Sequence, residues 1–508
     1  MNDLRPHQAR SPDEVHPEDH KTLTGIGADL FGRRMLYAVV WSLQLVTGAV
    51  VSPLLAYTLA PDQFGLVASA LALHQLLNVL TVFGLDQAIT VQNAEDGHSE
   101  SGRGLLTTGI ATTTLSSLVL GFTAVLWGPA LGFGGHASLV LAVVLWTAPG
   151  AAVQMMLALL SSQDRLRSFG ILCILGTVGA QFCGFGLLLL GHKSATTYAW
   201  GLVASQYLAM VIGLLVARPR LAGLLDIRTS IRAVRFGMVL TLSSLSGFVL
   251  NAGDRVIIQR QRGPTETGRY QIAYTVGYVV VFLIMFTTQA WTPQIAAIRN
   301  EAHRLYMVAV SRDLVYRLLG PSILGITLAT PVVLRIVAPS EYRPSSLLIV
   351  VYFVALSAFP VAASGATRLA LISARRARPL ALAAAAAAIF NIGMNLALVP
   401  WLSITGSAIA TVLAFGAQVL IQRFALRRSQ RIRRSPRMLT VESLFLCGIG
   451  ALSTLLPQTT TLNVVRLGVA LACLPWVWIR LQKARKLPLG NTNLGQDTGR
   501  LEPIPGAS

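Results

Sequence analysis

The chain is apolar in about fourteen stretches, each close to the length a helix needs to cross a bilayer. They lie near residues 35–60, 65–88, 105–127, 138–160, 169–190, 196–217, 236–257, 270–292, 316–337, 346–372, 378–400, 403–424, 441–457 and 463–480. A transmembrane helix takes about 20 mostly apolar residues. In hydrocarbon every backbone N–H and C=O must be satisfied within the segment, which leaves helices as the form for such runs. The pattern predicts an all-α, polytopic membrane protein of about fourteen transmembrane helices joined by short polar links. The last two runs are the shortest.

The pattern also repeats. Ala60-Pro-Asp-Gln-Phe-Gly-Leu-Val-Ala-Ser-Ala70 lies between the first two runs, and Gly263-Pro-Thr-Glu-Thr-Gly-Arg-Tyr-Gln-Ile-Ala273 lies between the seventh and eighth. Pro61 pairs with Pro264, Gly65 with Gly268 and Ala70 with Ala273, all at one offset. A weaker match pairs Ser194 with Ser403 and Ala199 with Ala408 at nearly the same offset. Two homologous halves of six helices follow. Six is even, so both halves cross in the same sense and are related by an axis along the membrane normal. The expected division is a tail at 1–29, an N-terminal lobe at 30–225, a C-terminal lobe at 226–425, a basic loop at 426–440, two appended helices within 441–482, and a second tail at 483–508. Both tails read as disordered. Two parallel lobes around a central cavity form a transporter architecture.

Composition agrees. Hydrophobic residues make up 53% of the 508 residues and charged residues 12%, against roughly 25% charged in soluble domains. The net charge of +20 would suggest nucleic acid in a soluble protein. Here the basic residues fall between apolar runs, and no segment alternates basic and aromatic residues, so nucleic acid is not an expected partner. With the N-terminus in the cytoplasm, about 32 of the 41 basic residues lie on the cytoplasmic side, as the positive-inside rule requires. The expected location is a bacterial-type inner (plasma) membrane, with both termini cytoplasmic. Arg423 to Arg437 reads most simply as a topology signal. Four outside charges, Arg255, Arg260, Arg262 and Arg269, crowd into one outside loop at 255–269 against the rule, and a rule broken at one place points to function.

Several chemistries are missing. None of the four lysines follows a glycine, so there is no phosphate-binding Gly-x-x-x-x-Gly-Lys loop. His-Glu-x-x-His and Gly-x-Ser-x-Gly do not occur. Cys173, Cys183, Cys447 and Cys473 all sit in apolar runs and read as small hydrophobes. His7, His16 and His20 belong to a polar tail without an apolar signal-peptide run. No metal site and no cofactor is expected. The links are too short for a catalytic domain, so an enzyme is not expected, although a membrane polysaccharide polymerase or ligase stands as an alternative.

Leu54-Leu-Ala-Tyr-Thr-Leu-Ala-Pro-Asp-Gln-Phe-Gly65, Val82-Phe-Gly-Leu-Asp-Gln-Ala-Ile89, Asp254-Arg-Val-Ile-Ile258, Gly268-Arg-Tyr-Gln-Ile-Ala-Tyr274, Asn391-Ile-Gly-Met-Asn-Leu-Ala-Leu-Val-Pro400 and Gly406-Ser-Ala-Ile-Ala-Thr411 together resemble the polysaccharide flippases. These are the lipid-linked, O-antigen-type exporters of the multidrug/oligosaccharidyl-lipid/polysaccharide superfamily. The resemblance covers most of residues 30–425. It implies transport of a lipid-linked oligosaccharide on a polyprenyl pyrophosphate to the outer leaflet, without ATP hydrolysis. Glycosyltransferases and a polymerase of the same pathway are the implied partners. Members often carry an arginine after the second helix's Gly-Leu segment; here the chain reads Thr90-Val91-Gln92. A cation-coupled drug antiporter and a peptidoglycan-precursor flippase are the alternatives within the class.

Candidate cavity residues are Gln44, His74, Asn78, Asp254, Arg255, Arg269 and Arg368, with Asp86 and Asp254 as coupling-ion candidates. Each buried charge costs about 2.5–3.5 kcal/mol on insertion scales, so a charge in a span needs a reason. Ion pairing and helix–helix hydrogen bonding are the structural alternatives. Helices 1, 2, 7 and 8 are expected to line the cavity. Pro53, Pro149, Pro321 and Pro360 are expected to kink their helices.

Overall fold

The computed structural model describes residues 40, 43, 46–96, 99–296, 298–374, 376–427 and 430–485. Its described residues are helical, with no strand among them. In order, the helices are α1 (Val46–Thr58), α2 (Pro61–Val82), α3 (Leu85–Asp96), α4 (Ser99–Phe122), α5 (Ala124–Ala130), α6 (Ala137–Ser162), α7 (Leu166–Cys173), α8 (Ala180–Leu190), α9 (Ala195–Ala217), α10 (Ile227–Asn251), α11 (Gly253–Arg262), α12 (Pro264–Ala296), α13 (Glu301–Val337), α14 (Leu348–Leu356), α15 (Ala358–Ser373), α16 (Ala377–Ala425), α17 (Arg437–Leu455) and α18 (Thr460–Arg485).

Among the described residues, eleven helical segments are long and apolar enough to cross a membrane. The shorter apolar helix α1 and the 33-residue α12 stand in the places of two further expected passes. The last comes from the division of α16 at Ser403, where φ 50 and ψ −137 break the helix. The chain is a multi-pass membrane protein. Phe122 and Trp401 are 85% and 86% exposed, as side chains facing lipid would be.

Several helices run beyond their apolar stretches, because a helix continues into polar residues that hydropathy does not register. The correction matters most at 255–269. This segment is not an outside loop. Helix α11 continues to Arg262, α12 begins at Pro264, and Gly263 alone, at φ +84, joins them. Its four arginines therefore project from two adjoining helices.

The repeated segments meet. Gly65 and Gly268 are reciprocal neighbours: a Cβ on Gly65 would lie 1.7 Å from the Pro264 carbonyl oxygen, and one on Gly268 would lie 2.3 Å from that of Pro61. Each repeat's glycine thus packs on the other repeat's proline carbonyl. At the opposite end, Phe83 and Gly84 break the second pass in left-handed conformations, and the Phe83 carbonyl lies 2.0 Å from where a Gly237 Cβ would be. Helices α17 and α18 pack on α13, with Leu446 against Gly320 and Cys473 against Gly325.

Candidate functional site

Between the two close contacts lies a cavity of about 610 Å³. Its walls come from α1, α2, α6, the α7–α8 pass, α9, α10–α11 and α12. Helices 1, 2, 7 and 8 do line it, together with the fourth, fifth and sixth passes. Most of the wall belongs to the N-terminal half.

The lining is apolar with inset amides. Gln75, Asn78, Gln154, Gln181, Gln206, Asn251 and Gln271 reach it, with Ser52, Thr177 and Thr275. Arg255 is the one Asp, Glu, Lys or Arg side chain among the lining residues. The position of Arg255 follows from a helix break. Ala252, at φ −142 and ψ −14, ends α10, and α11 restarts at Gly253. The break frees the Asn251 carbonyl, which accepts from Arg255 Nη1 at 2.6 Å and from the Tyr274 hydroxyl at 3.3 Å. Asp254 stands in the first turn of α11, where the helix dipole favours an acid. Its Oδ1 accepts from Arg255 Nη1 at 2.7 Å, and its Oδ2 accepts from the Tyr270 hydroxyl at 2.5 Å. Arg255 Nε donates to Gln271 at 3.1 Å, and the guanidinium sits 3.8 Å from the Tyr274 ring centroid. The cation is 6% exposed and its partner acid 2%. Arg255 Nε and Nη1 are engaged by these partners, and the residue lines the cavity.

The remaining candidates separate. His74 lines the cavity and stacks on Trp146 with ring centroids 3.6 Å apart. Asn78 lines it too and donates to Gln154 at 2.7 Å; Gln154 donates onward to Asp86 at 3.2 Å. Asp86 and Asp254 are not among the lining residues. Arg269 does not line the cavity: it pairs with Glu266 and donates to the Tyr342 carbonyl at 3.2 Å and the Ser346 hydroxyl at 2.5 Å. Arg262 donates to the Val399 and Pro400 carbonyls near the break in α16. Arg368 is exposed on α15, away from the cavity. Gln44 lies outside the described residues. No cluster of three or more His, Cys, Asp or Glu that could hold a metal occurs among the described residues.

Sequence reading missed the π-helical turn at Ile174–Gly179 inside the fifth pass. The widened turn presents Cys173, Gly176 and Thr177 to the cavity. Its carbonyls are met from α9, by Gln206 Nε2 on Gly176 at 2.9 Å and by Ser205 on Leu175 at 3.2 Å. One buried amide and one buried hydroxyl of α9, Gln206 and Ser205, facing one apolar run were the available signal, but nothing in the spacing marks a π turn.

The model for the family described as "Polysaccharide biosynthesis protein" matches residues 36–299, just over half of the chain. The chain belongs to the polysaccharide biosynthesis protein family. The fold of this member resembles that of "Lipid II flippase MurJ, inward closed conformation", at TM-score 0.68 and 13% identity, covering 89% of this chain and 99% of that one. It also resembles an "Inward-facing conformation of a multidrug resistance MATE family transporter of the MOP superfamily", at TM-score 0.54 and 14% identity, over 81% and 94% of the two chains. No curated protein sequence matches this family member.

Proposed function

We propose that the protein flips a lipid-linked oligosaccharide, carried on a polyprenyl pyrophosphate, across a bacterial-type inner membrane for cell-surface polysaccharide synthesis. The observation that carries this is a cavity whose one fixed charge among the described residues is the Arg255 cation, surrounded by amides and hydroxyls. Sugar hydroxyls crossing hydrocarbon unpaired would each cost several kcal/mol, and the amides replace their water. A guanidinium offers a planar fork to a phosphate. At about 610 Å³ the cavity falls in the ~300–1,000 Å³ range of small-molecule sites. It suits a headgroup while the prenyl tail stays in lipid. Helix breaks at Gly84, Ala252 and Ser403 supply places for lobes 30–225 and 226–425 to pivot in alternating access. Basic residues put both termini in the cytoplasm. The reading involves no bond-breaking step, so glycosyltransferases and a polymerase would act before and after it.

A peptidoglycan-precursor flippase is the second reading, favoured by the fold's likeness at TM-score 0.68. A cation-coupled drug antiporter fits less well, because no carboxylate lines the cavity among the described residues. The test is glycan export at matched protein levels. Arg255→Gln is expected to weaken substrate binding roughly ten- to hundredfold, the effect of one lost charge-assisted contact. A lipid-linked glycan should then accumulate on the inner leaflet. Normal export by this variant would remove Arg255 from the site.

A further inference from the structure

A second cavity, of about 930 Å³, lies at the arginine-rich end of the N-terminal half, apart from the central one. It is walled by the ends of four passes: Asn93 of α3, Arg103 of α4, Gln163 and Arg165 after α6, and Arg218 after α9. We infer that it is a phosphate-binding site for an anionic headgroup at the cytoplasmic surface; this assignment of side rests on the orientation proposed above.

Charge is the first support. Three arginines and one carboxylate, Asp164, line the cavity, a formal excess of two positive charges. Helix ends do not cancel it. The C-termini of α3, α6 and α9 and the N-termini of α4 and α7 gather here, and at about half a charge each they leave roughly half a negative charge. Unspent hydrogen-bonding capacity is the second. Arg103 Nε and Gln163 Nε2 are buried donors with no partner among the described residues. Natural proteins rarely leave such groups unmet. Backbone shape is the third. Asp164 and Arg218, at φ 52 and 50, hold the left-handed region that L side chains disfavour, and both face this cavity. One of the arginines has a structural duty as well, since Arg165 Nη1 donates to the Val216 carbonyl at 3.0 Å. Arg103 and Arg218 are the better probes.

Basic pockets between transmembrane helices on the cytoplasmic side suit anionic lipid headgroups. A soluble phosphate compound offers the same chemistry. The full chain, delipidated in detergent, would be mixed separately with phosphatidylglycerol, phosphatidylcholine and inorganic pyrophosphate and weighed by native mass spectrometry. Wild type should retain phosphatidylglycerol or pyrophosphate, or both, over phosphatidylcholine; which of the two it retains names the source. Arg103→Gln and the exposed-site Arg218→Gln should each weaken that retention about tenfold, one charge-assisted contact's worth. Arg269→Gln, at a brace outside both cavities, should leave it unchanged, and retention lost in Arg255→Gln but kept in Arg103→Gln and Arg218→Gln would place the phosphate in the central cavity and overturn the inference. Equal retention by wild type and both variants, or no preference for the phosphate probes over phosphatidylcholine, would overturn the inference.

Discussion

Arg255 and Asp254 are opposed charges at 7% and 3% side-chain exposure, so neither can lose the other cheaply. Removing one partner of a buried pair leaves an uncompensated charge and costs about 3–5 kcal/mol. Asp254→Asn should therefore lower thermal stability in detergent strongly, and Tyr270→Phe less, by about 1.5–3 kcal/mol for its bond to the carboxylate. The double variant Asp254→Asn/Arg255→Gln should recover part of the loss. Stabilities that simply add across this cycle would mean that the pair is uncoupled. Arg269 is a contrast. It braces Glu266, Tyr342 and Ser346, so Arg269→Gln should reduce stability while export per folded molecule stays near wild type. Sequence reading selected both arginines on one signal, charge on the wrong side. That signal reports expense and not purpose, so it could not separate a cavity lining from a brace. The cavity amides Gln75, Gln154, Gln181 and Gln206 went unread although Gln44 and Asn78 were selected, because an amide in an apolar run costs the same whether it faces a cavity or a neighbouring helix.

At the scale of elements, the apolar runs located the passes and missed their breaks. Ala252, Ser403 and the turn at Ile174–Gly179 interrupt sequences that hydropathy reads as continuous or merely gapped. The π turn depends on α9 for its hydrogen bonds. Gln206→Leu should leave the Gly176 carbonyl unmet, cost about 1–3 kcal/mol and increase hydrogen exchange in the fifth pass; unchanged exchange there would show the bond to be dispensable. The contact between α2 and α12 was legible in part. The repeat placed Pro61 and Gly65 opposite Pro264 and Gly268 in the sequence, but only the fold shows that the two copies touch. Gly65→Ala must push the helices apart, because its methyl would meet the Pro264 carbonyl. A cysteine at Ser69, buried and bonded to Gln259, should then be labelled faster by a membrane-impermeant thiol reagent in the Gly65→Ala background. Equal labelling would argue that the contact is not a seal.

For the whole molecule, the hydrophobic pattern carried the fold class because lipid leaves the backbone so few options. The sequence could not reveal the asymmetry of the cavity. Two related halves predict a chamber on the axis between them, yet its walls belong mostly to the first half, with α10–α11 and α12 closing one side. Orientation is open to direct measurement. A reporter fused after Arg437 should read cytoplasmic and one inserted at Gln458, between α17 and α18, extracytoplasmic. The reversed pair of readings would undo the assignment of both termini, and readings on the same side would show that α17 does not cross.

The reciprocal glycine contact has a consequence for the cell that houses the protein. Where Pro61, Gly65, Pro264 and Gly268 meet, backbone lies on backbone with no side chain between. Such a junction has no rotamer to flip and no room for a file of water. It is either shut or fully parted. An energised membrane loses its voltage through any wet thread a few ångströms wide, and under the transport proposed above the protein spends much of its life waiting for cargo. A dry backbone plug lets it wait without leaking protons.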